Sequence, residues 1–310
     1  MAAARSVTTG RSRLTLARRE ALTGYAWILS WIIGFLVFTV GPVFASLYIS
    51  LTKFNFGTGG TWIGLSNYVE AFTADPLFWS SLGRSAYYTL LVVPLGIVTS
   101  LLAALLLNQN IRGTSFYRTM FFIPSLVPIV ATAALWTWIL AADIGPLNSI
   151  FEAVGVKSPR WFAKAEWAIP AIAIIVLWSS IGGGRMITFL AGLQGVAQEL
   201  YEAAEIDGAN AWNRFWYVTL PLISPVVFFN VVLGIIGSFQ VFDVAYVATR
   251  GGPGEATWFY ALHIYNKAFL EFNFGYAAAL AWLLFLVLIV FTQLQFRSAA
   301  RWVFYDGERQ

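Results

Sequence analysis

The chain has no cysteine and a single histidine, His263. Disulfides and cysteine metal sites are therefore excluded, and a histidine metal cluster or a Ser–His–Asp triad has almost nothing to build from. Charge is scarce as well: Asp, Glu, Lys and Arg make up 11% of the residues, against roughly 25% in soluble domains. A water-soluble fold of this size would lack the polar residues to cover its surface. No G-x-x-x-x-G-K-[ST] pattern occurs, nor any Gly-Lys dipeptide, which excludes a P-loop nucleotide site on this sequence. The net charge of +4 is not gathered into a basic stripe with interleaved aromatics, which argues against a nucleic-acid surface.

What is abundant is apolar: 59% of residues are hydrophobic and 17% aromatic. Windows 21–52, 85–111, 119–142, 215–242 and 272–296 hold no charged side chain, and 167–184 continues apolar to about 193 around Arg185. Each accommodates the ~20 residues that cross a bilayer core of about 30 Å. The expected fold is all-α and polytopic, a transmembrane domain over 21–300 between tails 1–20 and 301–310. Its spans fall near 25–51, 85–108, 117–141, 167–193, 219–247 and 276–297. The first window is far longer than the roughly 7–15 residues of a signal-peptide core, and no A-x-A site follows it, so it reads as a retained helix.

With the N-terminus inside, Arg5, Arg11, Arg13, Arg18, Arg19, Arg112, Arg118, Arg214, Arg297, Arg301 and Arg309 fall on inner segments. The outer segments carry fewer Lys and Arg, so both tails are expected in the cytoplasm. Outer segments 53–83 (Gly57, Gly59, Gly60, Pro76) and 143–166 (Pro146, Pro159) read as surface connections with short helices at most.

The inner connection 198–221 is the most informative stretch. Residues 199–206 are mostly good helix formers. Leu200, Ala203 and Ala204 share one small face, with Glu199, Glu202 and Glu205 to its side. Gly208 stands where a helix ends in left-handed geometry. A second short segment over 211–217 precedes Pro221, which suits the first turn of the next span. A small alanine face ringed by acids fits docking into a basic-rimmed socket. The plainer alternative, a hairpin resting on the bilayer, would normally be basic.

Glu202-Ala-Ala-x3-Gly208-x9-Val218-x-Leu220-Pro221 resembles the EAA loop of bacterial binding-protein-dependent ABC importers, with Val218 where the family has Ile. LAGLQ (190–194), WIGLSNY (62–68), SFQVFDVAYVATRGGPGEAT (238–257) and FNFGYAAALA (272–281) are similar to its carbohydrate-uptake branch, typified by the MalF, LacF and UgpA permeases. The resemblance spans roughly 25–300. Two departures are Val196-Ala197, where Ile-Pro is usual, and the glycine-rich Gly182-Gly183-Gly184 before Arg185. The family resemblance implies a MetI-like fold, a second permease subunit, two copies of a cytoplasmic ATPase that carry ATP and Mg, and an extracellular or periplasmic sugar-binding protein. It implies no cofactor or metal on this chain. Glu199, Glu202, Ala203, Ala204, Asp207, Gly208, Arg214 and Pro221 would couple it to the ATPase.

Polar groups within spans mark candidate substrate contacts. Arg185 reads either as a ligand or gate residue, or as the partner of Asp243 in a buried ion pair. Ser238, Phe239 and Gln240 lie in the stretch that lines the path in maltose-type relatives. Trp178 offers an aromatic face for a sugar ring. Small residues in the same stretch also suit plain helix packing. His263 reads as a structural polar residue of an outer helix, and 250–255 (Arg-Gly-Gly-Pro-Gly-Glu) as a shaped outer loop. The cargo implied is a mono- or oligosaccharide or a sugar-like solute such as a glycerol phosphate. Two rival readings stand beside this one. An ion-coupled secondary transporter could use Arg185 and Asp243, but would not need the EAA hairpin. A membrane glycosyltransferase would need carboxylate clusters, for which 199–207 is the only candidate.

Overall fold

The computed structural model describes residues 15–55, 59–109 and 112–304. Arg5, Arg11, Arg13 and Arg309, used above to assign the inner face, lie outside them. The architecture is helical, with one two-stranded antiparallel hairpin, β1 (Thr52–Asn55) and β2 (Gly59–Trp62). Among the described residues, four helices are long and apolar enough to cross a membrane: α1 (Leu16–Ser50), α3 (Pro76–Leu107), Ser224–Ala248 and Phe274–Trp302. Two bent pairs bring the number to six when each counts as one span: α4 (Thr114–Leu126) with α5 (Ile129–Ile139), and α7 (Ala165–Ser180) with α8 (Gly184–Gln194).

Helix α3 organises the rest. Its N-terminus is set by Asp75, an extended residue whose side chain accepts from the Leu77 N–H at 2.8 Å, with Pro76 in the first turn. One stretch of α3 packs through Tyr88 and Val92 against Ile169, Ile172 and Ile175 of α7 and Ala133 of α5. Another packs through Leu101, Ala104 and Leu107 against Met186, Phe189 and Leu193 of α8. The last helix, α14 (Phe274–Trp302), adds Tyr276, Leu280 and Leu284 to a cluster with Phe78 of α3. By contrast, no residue from Leu16 to Val40 is buried. Only the end of α1 is held to the bundle, where Trp282 donates to Ser46.

Three spans are broken where the sequence reading had them continuous. At α4–α5 the chain turns by 93°. Val127 is extended (φ −74°, ψ 128°), the conformation that the following Pro128 favours, and the helix ends there. At α7–α8 the bend is 51°, and Gly182 explains it. A Cβ at this position would run into the Phe121 carbonyl of α4, so the backbones meet only because the side chain is missing. The third break, at 240–242, separates α11 (Ser224–Phe239) from α12 (Asp243–Ala248).

Two further expectations change. Segment 53–83 forms the hairpin and α2 (Ser66–Thr73), not short helices alone. The hairpin is seated at Gly275, where a Cβ would strike the Thr52 carbonyl. The helix that begins at Pro76 also carries Arg84 within it, well before the expected start near 85. One charge ends an uncharged window but not a helix.

Candidate functional site

A cavity of about 290 Å³ opens where α3, α8 and α11 meet at two of these breaks. Arg185, Ser238, Gln240 and Asp243 all line it, together with Ser180 and Tyr88. Arg185 is the second residue of α8, and its guanidinium passes between two glycines. A Cβ on Gly96 of α3 would overlap Nη1, and one on Gly234 of α11 would sit 3.5 Å from Nη2. Nη1 is shut off from solvent and has no hydrogen-bond partner. Among the described residues Arg185 forms no ion pair, so the expected partnership with Asp243 is not made. Asp243 is instead exposed, in the first turn of α12, where a carboxylate suits the helix dipole.

The Ser238 hydroxyl is already engaged, donating to Thr89 Oγ1 at 2.9 Å. Gln240 is exposed at the break. Two of the sequence candidates are elsewhere. Phe239 is 2% exposed and turned away from the cavity into the α3–α14 cluster, against Phe291. Trp178 packs edge-on to Trp136 and borders a separate apolar pocket with Phe121 and Gly182. Period explains the first: Gly234, Gly237 and Ser238, at i, i+3 and i+4, share the cavity face of α11, and Phe239, a further ~100° round, falls on the face toward Phe291 of α14.

The 198–221 connection forms α9 (Gln198–Ile206), ended by Gly208 at φ +78°. Gly208 N–H donates to Glu205 O and Ala209 N–H to Ala204 O at 2.9 Å, which closes the helix in a glycine turn. No residue of α9 is buried; Glu199, Glu202, Ala203 and Asp207 are fully presented, and Ala204 is partly covered. Asn210 caps α10 (Ala211–Arg214) by accepting from the Asn213 N–H. The chain then runs on through Pro221 to α11, so the second segment is a lead-in to the span and not a free helix. Arg214 pairs with Glu205 across the turn, and Tyr201 bonds Thr219 at 3.0 Å. The hairpin is thus braced to the base of α11, a good geometry for passing displacement into that span.

A third polar cluster sits at the hairpin end, unanticipated apart from the structural role given to His263. The imidazole is 1% exposed on α13 (Tyr260–Tyr265). Its Nε2 lies 2.7 Å from Asp75 Oδ2, which also accepts from the Tyr276 hydroxyl at 2.6 Å. The Trp258 indole N–H donates to Nδ1 at 3.2 Å. An indole only donates, so Nδ1 carries no proton and Nε2–H is the donor to Asp75. Burial lowers the His263 pKa, and the bond to Asp75 and its charge only partly restore it. For Asp75, burial alone pushes the carboxyl up. The bonds from Tyr276, His263 and the Leu77 N–H, with the His263 charge, outweigh burial and hold it below the usual range. Asp75-Pro76 is itself a readable helix start; nothing in the sequence reveals the partners.

Residues 93–303 match the family described as the binding-protein-dependent transport system inner membrane component. The chain belongs to this family. It is 38% identical to the probable ABC transporter permease YesP of Bacillus subtilis (strain 168), covering 94% of this chain and 95% of that protein. It is 34% identical to the lactose transport system permease LacF of Rhizobium radiobacter, over 93% of this chain and 97% of the other. In fold it is similar to a chain of a bacterial ABC transporter that imports the acidic polysaccharide alginate, with a TM-score of 0.80 at 23% identity, covering 92% and 96% of the two chains. The protein is therefore an ABC importer permease of the carbohydrate-transport type, a membrane transport subunit. The ion-coupled alternative has no support among these relatives.

Proposed function

We propose that this chain forms part of the path by which a sugar or sugar-like solute crosses the membrane, through alternating access driven by ATP hydrolysis on separate subunits. The assembly contains a second permease, two ATPase copies that bind ATP and Mg, and an external sugar-binding protein. This chain keeps both tails in the cytoplasm and binds no cofactor itself. The observation that carries the reading is the cavity at Arg185, Gln240 and Asp243. It gathers polar groups at two breaks in membrane-spanning segments, with Arg185 half-buried and Gln240 and Asp243 open to the cavity, and polar groups in such segments are expensive unless used. The lactose named for one relative and the alginate named for a structural neighbour favour a carbohydrate cargo.

Coupling is assigned to α9 and the Gly208 turn. An ATPase cleft would grip the Glu202, Ala203 and Ala204 face, and closure of the ATPases would swing 199–216 against the base of α11. The test is to co-purify the chain with the proteins encoded beside it and to assay ATPase activity and vesicle uptake across a sugar panel. A complex with a second permease and two ATPases, stimulated by one sugar, is the expected result. Uptake without ATP by the chain alone would overturn it. Glu202→Lys is expected to keep the permease folded while separating ATP hydrolysis from uptake; normal uptake in this variant would remove α9 from the coupling path.

A further inference from the structure

We infer that the cavity selects sugars bearing an anionic group, and that the Arg185 guanidinium binds the carboxylate, sulfonate or phosphate. The inference rests on reading this cavity as part of the sugar path.

Arginine keeps its charge in any protein environment. Here that charge is half-buried, with Nη1 sealed from water and unbonded. A buried ion left without a partner is costly, and an apolar side chain of similar size would serve packing better. The bundle nevertheless makes room for it by omitting the Cβ at Gly96, while Gly234 lies at ordinary contact distance on the other side. A carboxylate is close at hand in the same cavity, yet Asp243 is exposed and not paired with it. A guanidinium held in place but not neutralised is set for a counter-ion from outside the chain.

The chemistry narrows that counter-ion to an oxyanion, and the open cavity beside it points to the cargo as its source. A guanidinium presents five donors and no acceptor, in a planar fork that matches an oxyanion with two parallel bonds. Hydroxyls of a neutral sugar both donate and accept, and are better met by an amide. Gln240 supplies one at the break, and Asp243 accepts from hydroxyls beside it. Arg185 also lies in the first turn of α8, where the helix dipole opposes a cation and Gly183 brings no capping side chain. An anion there relieves both. The volume, about 290 Å³, is at the low end of the ~300–1,000 Å³ of small-ligand sites, so it holds one acidic sugar unit at a time.

The test uses the complete complex in proteoliposomes, with binding protein and ATP, and matched probe pairs. These are digalacturonate with its dimethyl ester, and sulfoquinovose and glucose 6-phosphate each with glucose. In at least one pair the anion is expected to enter about tenfold faster than its neutral partner, the value of one charge-assisted bond. Arg185→Gln should erase that ratio, mainly through KM. Gly96→Ala should weaken it too, because the new methyl displaces the guanidinium without removing its charge. Co-purification reports assembly separately, and if the Gln variant does not assemble, Gly96→Ala decides. Neutral sugars preferred in every pair, or an unchanged ratio in an assembled variant, overturns the inference and leaves the sugar path standing. An assembled, ATP-hydrolysing complex that takes up no sugar of either kind sinks the sugar path and the inference with it.

Discussion

Two polar clusters interrupt the same apolar bundle and are built on opposite plans. At the hairpin end, Asp75, His263, Trp258 and Tyr276 form a closed chain, in which the Asp75 oxygens and the imidazole nitrogens are all engaged. Past the middle of α3, Arg185 sits between two glycines, and its buried Nη1 has no hydrogen-bond partner among the described residues. The first cluster joins the starts of α3, α13 and α14 and leaves nothing to offer a ligand. The second spends stability on an unpaired cation and faces a cavity. Burial alone therefore does not separate the two clusters; incomplete pairing beside open volume does.

The largest effect is expected from breaking the closed cluster. Asp75→Ala strands the His263 and Tyr276 donors and frees the Leu77 N–H, and each buried donor left unsatisfied costs about 1–3 kcal/mol. Thermal unfolding of the purified complex in detergent should show a large drop in Tm. A drop no greater than that of a surface substitution would mean the cluster is not a clasp. Next comes Gly182→Ala, at the break that positions Arg185. Its methyl meets a backbone carbonyl, not a flexible side chain, so α4 and the α7–α8 turn must separate, at about 1–3 kcal/mol. The same Tm assay checks it, and an unperturbed variant would show that the close approach is not needed.

The closed cluster also has a pH signature. His263 resists protonation in the folded chain, because burial lowers its pKa from the ordinary 6.5. Below about that pH the unfolded chain takes up a proton that the folded one refuses, so stability falls on acidification. Asp75 is held below its ordinary 3.8, so its own contribution is lost only at and below about that value. Tm should therefore decline from pH 7 to pH 5, and His263→Gln should flatten that slope. Lys267 and Glu271 also act on this imidazole, in opposite directions, so the slope and not the absolute Tm is the readout. An equal slope in the variant would place the pH response elsewhere.

The sequence made the membrane class, the approximate spans and the 198–208 helix with its glycine turn readable, because each rests on a local pattern: hydropathy, helix propensity or one left-handed residue. Arg185, Gln240 and Asp243 were also found, since a polar group in an apolar run stands out. What stayed hidden depends on contacts far apart in the chain. Gly96 looks like any small residue of a span until the Arg185 side chain is seen against it. Asp75 reads as a cap, but its bonds to residues 263 and 276 cross nearly two hundred positions. Phe239 and Trp178 were named for their chemistry and lie elsewhere because of helix phase. The 93° turn before Pro128 was only half legible: a following proline favours the extended Val127, yet Val93, Ile123 and Ile169 also precede prolines and stay helical.

The smallest expected effect tests the comparison most directly. If Arg185 is unpaired in the assembled transporter, Arg185→Met removes a half-buried cation and its desolvation penalty while filling similar space. Stability should then stay within about 1 kcal/mol of the parent or rise, as happens when buried charges give way to apolar side chains. Asp75→Ala offers no such relief, because three donors are left behind. The measurement is the Tm of the whole complex, with both variants side by side. Should Arg185→Met lower Tm as far as Asp75→Ala does, then the second permease supplies a counter-charge and the cavity cluster is closed like the outer one. Destabilisation only when the sugar is present would say the opposite: the partner that Arg185 lacks arrives with the cargo.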